Sequence, residues 1–69
     1  MKRLLVVKNE EKANDVVRLA SNYGLMAYYK IGIYLGAKKQ HEVFVNGNRY
    51  NFYKFIKNLD PYIEDILVF

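Results

Sequence analysis

Cysteine and tryptophan are absent from this 69-residue chain, and proline and histidine each occur once. Without cysteine there is no disulfide, and His41 alone cannot assemble a structural zinc site. Threonine is missing too, so Ser21 is the only hydroxyl besides the tyrosines. That leaves nucleophilic catalysis almost without material. No apolar run approaches the roughly 18 residues that a membrane-spanning helix needs. The start, Met1 to Lys8, has the charges of a signal peptide, but its apolar run is only Leu4 to Val7 and no small-residue cleavage site follows. The expectation is a cytoplasmic protein with no cofactor, no metal and no membrane segment.

What is present is the composition of one folded domain spanning residues 1–69, with 52% hydrophobic and 26% charged residues. A chain this short buries only about 60% of its unfolded surface, so nearly every apolar side chain is needed inside. Seven Tyr and four Phe supply much of that area, and Tyr keeps a polar tip that can face water or a partner.

Leu4 to Val7 reads as a strand flanked by charges. Asn9-Glu10-Glu11 then starts a helix, with an Asn cap and two acids in the first turn, where the helix dipole favours them. Ala13, Val16, Val17 and Ala20 recur at i, i+3, i+4 and i+7, and Gly24 ends the helix. From Leu25 to Leu35 the period is two. Leu25, Ala27, Tyr29, Ile31, Ile33 and Leu35 share one face, and Met26, Tyr28, Lys30, Gly32 and Tyr34 share the other. Residues 36–40 form a polar turn and His41 to Val45 returns as a hairpin. Phe52, Phe55, Ile56 and Leu59 restore helical spacing, with Asn48 or Asn51 as cap and Asp60-Pro61 as stop. A competing reading makes Asn46-Gly47 a second hairpin turn, but the helical spacing after Phe52 is the better satisfied pattern. Asp65 to Phe69 closes the chain as a strand. The expected core includes Val17, Ile31, Phe55 and Leu59.

The order strand, helix, strand, strand, helix, strand is the split βαβ arrangement (βαββαβ), whose expected product is an α+β four-stranded antiparallel sheet with two helices on one face. In architecture the chain resembles ferredoxin-like domains, among them ACT domains and RNA-recognition motifs. That fold hosts many activities, so the resemblance alone implies little about function. RNA-recognition motifs carry stacking aromatics on their first and third strands. Here the first strand offers only Leu4, Leu5, Val6 and Val7, and the third only Phe44.

Catalytic and metal readings are thin. Ser21 sits near the end of a helix, His41 and Glu42 point to opposite faces of one strand, and a Ser-His-Asp triad would rest on presence alone. Five of the seven acids fall at element ends, where structural carboxylates belong, and Asp60, Glu64 and Asp65 match no metal-loop spacing. Gly32 to Lys38 is one residue short of a phosphate-binding loop and alternates as a strand. Gly32 itself suggests a bulge or a close backbone approach.

Two surfaces remain. Residues 30 to 57 carry Lys30, Lys38, Lys39, Arg49, Lys54 and Lys57 against Glu42 alone, a net +5 where the whole chain carries +4. With Tyr28 and Tyr34, this is a candidate surface for single-stranded nucleic acid, set against the ordinary reading of a solvated lysine-rich exterior. The second surface is apolar. Helices cover one side of a sheet, so Met26, Tyr28, Tyr34 and Phe44 are expected on an open face, around Lys30. The long strand lies at an edge and outruns its five-residue partner, which leaves part of it unpaired. The leading expectation is a non-catalytic interaction or regulatory module, a homodimer or a small adaptor or inhibitor of a larger protein, binding through Met26, Tyr28, Lys30, Tyr34 and Phe44. Nucleic-acid binding is the alternative, and an ACT-like small-ligand sensor a further one.

Overall fold

The computed structural model describes residues 3–33 and 39–59 with their side chains, and the backbone of 63–68. The elements follow in the order β1 (Arg3–Val7), α1 (Glu10–Asn22), β2 (Met26–Ile33), β3 (Lys39–Asn46), α2 (Arg49–Ile56) and β4 (Ile63–Val68).

Local chemistry sets the ends of α1. Asn9 Oδ1 accepts from the Lys12 amide at 2.9 Å, and Glu10 and Glu11 occupy the first turn. At the other end Gly24 adopts a left-handed φ of 72°. Its amide donates to the Ser21 carbonyl at 3.1 Å and the Leu25 amide to that of Ala20 at 3.0 Å. These paired bonds satisfy the last carbonyls and turn Leu25 into the core, where it joins Ala20. The α2 cap is Asn48, whose Oδ1 accepts from the Asn51 amide at 2.8 Å. The competing Asn46-Gly47 hairpin is thus not formed; Gly47 lies against Leu25, whose Cδ2 leaves no room for a Cβ there.

β1 pairs with β3 from Arg3↔Val45 to Val7↔His41, and β3 pairs with β2 from Met26↔Asn46 to Ile33↔Lys39. Arg3, Leu5, Val7, Val43, Val45, Ala27 and Tyr29 therefore share one face. On it α1 sets Ala13, Val16 and Ala20, α2 sets Phe52 and Phe55, and the flanking turns add Leu25 and Leu59. Arg3 is almost fully buried at the margin of this core. Its guanidinium lies 4.3 Å from the centre of the Phe52 ring and donates to the Gly47 carbonyl at 3.0 Å.

Ile63–Val68 runs antiparallel along the other side of β1, giving the hydrogen-bonded order β2-β3-β1-β4. Its pairing shifts register between Val6 and Val7. The ferredoxin-like four-stranded domain expected from the sequence is corrected accordingly. The packed frame is an α+β unit of three antiparallel strands, β1-β3-β2, with two helices. Among the described residues, the strand side chains that meet the helices come from β1, β3 and β2. What is described of 63–68 is a backbone pairing that changes register, and its side chains lie outside the described residues.

Strand boundaries differ as well. β2 pairs with β3 from Met26 to Ile33, so no unpaired stretch of it is found among the described residues, and Tyr34 and Leu35 lie outside them. Among the expected core residues, Phe55 and Leu59 are buried, Val17 only partly, and Ile31 is 43% exposed. Ala27 and Tyr29 reach the core but Ile31 does not. The apolar alternation simply continues past the part of the strand that the helices cover.

Candidate interaction surface

β2 is an edge strand. Its inner side is bonded to β3, so its outer N–H and C=O groups face away from the sheet. Its side chains make this edge unusual for a chain of its size. Met26 is 78% exposed, Ile33 75%, Tyr28 55% and Ile31 43%. By strand alternation Met26 and Tyr28 lie on the face away from the helices, and Ile31 and Ile33 on the helix side. The edge is thus apolar above and below the sheet plane.

The open face has more structure than the sequence suggested. Tyr28 sits opposite Phe44, and their rings stack at 5.3 Å between centres with planes 15° apart. Lys30 is exposed opposite Glu42, which is almost fully buried. Gln40 Nε2 donates to Glu42 Oε2 at 2.9 Å. Leu4 and Val6, on the same face, are buried. Among the described residues of the sheet, the exposed large apolar side chains all lie on β2. Tyr34 lies outside the described residues. Of the expected partner-binding set, the structure brings Met26, Tyr28, Lys30 and Phe44 onto one face.

On the helix side Tyr29 and His41 stack with centres 5.9 Å apart, and Tyr29 Oη is 2.7 Å from His41 Nδ1. Desolvation, and secondarily the nearby Glu10 carboxylate, hold the Tyr29 hydroxyl above its ordinary pKa. With Nδ1 engaged by a tyrosine, His41 has the character of a locally satisfied strand residue. Ser21 is exposed at the far end of α1. No group of three or more His, Cys, Asp or Glu that could hold a metal occurs among the described residues. Asp60 and the side chains of Glu64 and Asp65 lie outside them.

The basic central region divides. Lys30 is on the open face, while Arg49, Lys54 and Lys57 are exposed on or next to α2, which packs on the opposite face. Lys39 opens β3, and Lys38 lies outside the described residues. The expected single surface combining Lys30 with the α2 cations is therefore not assembled. Instead α2 carries two exposed rings that the sequence reading did not single out, Tyr50 and Tyr53, 66% and 59% exposed. The signal was available: positions 50, 53, 54 and 57 form the helical stripe opposite 52 and 55.

No family model, curated protein or solved structure matches the chain. No helix among the described residues is long and apolar enough to cross a membrane.

Proposed function

We propose that this protein is a non-catalytic interaction module that pairs through the β2 edge, in the first instance with a second copy of itself. The observation that supports this most is the exposure of Met26, Tyr28, Ile31 and Ile33 on one edge strand. Soluble domains protect such edges with charges, proline or bulges. Here Lys30 is the only charge between Met26 and Ile33, and the β2–β3 register runs unbroken. A paired strand would satisfy the outer backbone groups and cover apolar side chains on both sides of the sheet at once. Each large side chain fully removed from water contributes about 1.5–3 kcal/mol. A strand of a larger protein is the other occupant of the same edge. The cysteine-free sequence fits a cytoplasmic setting for either.

The test is mass in solution by sedimentation equilibrium. The wild type is expected to dimerise with rising concentration, and Met26→Lys with Ile33→Lys to give a folded monomer, because both side chains are exposed in the single chain. A wild type that stays monomeric at the highest attainable concentration overturns the homodimer.

A further inference from the structure

The outer face of α2 is separate from the β2 edge and has a different chemistry. From Val43 to Leu59 the chain contains Arg49, Lys54 and Lys57 and no acid. Phe52 and Phe55 turn inward and fix the phase of the helix, so Tyr50, Tyr53, Lys54 and Lys57 fall on one outward stripe. Each tyrosine has a lysine four residues on, Tyr50 with Lys54 and Tyr53 with Lys57. Lys54 Nζ lies 4.4 Å from the centre of the Tyr50 ring. Two well-exposed rings are costly to leave on a domain that needs its apolar area inside, and solubility alone calls for lysines without them.

We infer that this stripe binds single-stranded nucleic acid, with bases stacking on Tyr50 and Tyr53 and phosphates neutralised by Arg49, Lys54 and Lys57. Charge complementarity selects the class of partner: the segment is uniformly cationic, and the phosphate backbone is the anion that repeats at the spacing of its bases. Exposed aromatic faces select single strands over duplex, because paired bases have no free face to offer. A stacking platform tolerates every base, so little sequence preference is expected. The rings proposed here replace Tyr28 and Tyr34, which belong to the other side of the molecule or lie outside the described residues.

The experiment is fluorescence anisotropy of a short labelled oligothymidine, titrated at several salt concentrations. Wild type is expected to bind at low salt with a log–log salt slope near −2, about 0.7 for each of three cations. Lys54→Gln with Lys57→Gln should flatten that slope by about 1.4. Tyr50→Ala and Tyr53→Ala should each weaken binding roughly tenfold while leaving the slope in place, and Tyr→Phe at either position should restore it. All four side chains are exposed, so the variants should keep the wild-type melt. Three results overturn the inference: no binding at low salt, equal binding by the Tyr→Ala variants, or capture by anionic lipid vesicles without binding to the oligonucleotide. Substitutions at Met26 and Ile33 leave this surface untouched, so its failure and that of the β2 edge are read separately.

Discussion

The Glu42 carboxylate occupies the space that a side chain at Gly32 would need. A Cβ built on Gly32 would stand 2.6 Å from Glu42 Oε2 and 2.8 Å from Oε1. The glycine therefore marks a close approach on the sheet face rather than a bulge, since the β2–β3 register runs unbroken through Gly32↔Gln40. Gly32→Ala should displace a buried carboxylate from its bond to Gln40 and destabilise the domain by about 1–2 kcal/mol, overriding the usual gain from a stiffer unfolded chain. On a Glu42→Ala background the same substitution should become neutral or stabilising. Urea denaturation of the four members of this cycle measures the coupling, and additive effects would show that the two residues do not interact.

Phe55 is fully buried, touching the rings of Tyr23 and Phe52. Phe55→Ala should cost about 3–5 kcal/mol, enough to unfold so small a domain at room temperature. Leu59→Ala should cost about 2–5 kcal/mol although Leu59 lies beyond the last residue of α2. A wild-type-like thermal melt for either variant would contradict the described core.

These two positions also show what was legible in sequence. Spacing alone put Phe52, Phe55 and Leu59 inside, because a short amphipathic stripe has only one way to be buried. The ends of α1 were equally readable, since Asn9 and Gly24 each do a job that few residues can do. Ile31 was misread because alternation reports which face a residue shares and says nothing of how far a helix extends over that face. The chain's end was less legible: an apolar run there implies a strand, but not the register shift between Val6 and Val7 in its pairing with β1. Tyr50 and Tyr53 went unnoticed because an exposed aromatic carries no signal until Phe52 and Phe55 have fixed the phase of its helix.

The desolvation of the Tyr29 hydroxyl, with the Glu10 carboxylate nearby, leads to a pH dependence. Tyr29 is held neutral above its ordinary pKa, so the unfolded chain loses this proton at lower pH than the folded chain does. Its contribution to stability is fully present below about pH 10, the ordinary tyrosine value, and declines as pH rises through the higher folded value. Tyr29→Phe should remove this share of the alkaline loss. Denaturant midpoints followed across the alkaline range, beside tyrosinate absorbance, check it; parallel profiles for wild type and variant would remove Tyr29 as the cause.

Two β2 edges can meet only in certain registers. In an antiparallel pair, residues directly opposite one another point to the same face, so a two-fold axis normal to the sheet must pass through a residue position. An axis through Lys30 would set two lysines opposite each other, which disfavours pairing. An axis through Tyr29 sets Tyr28 opposite Lys30 of the second copy, Ala27 opposite Ile31 and Met26 opposite Gly32, bringing a cation beside an exposed ring twice. The chain has no cysteine of its own, so introduced thiols report this register cleanly. A Tyr28→Cys chain mixed with a Lys30→Cys chain should form a disulfide-linked heterodimer on mild oxidation, because opposed Cα atoms lie about 4.5–5.5 Å apart, within disulfide reach. Tyr28→Cys alone should crosslink poorly, its two thiols being displaced along the strands by two residue positions. If the single variant crosslinks as readily as the mixture does, the axis does not pass through Tyr29, and the pairing of Lys30 with Tyr28 is not what holds the edges in register.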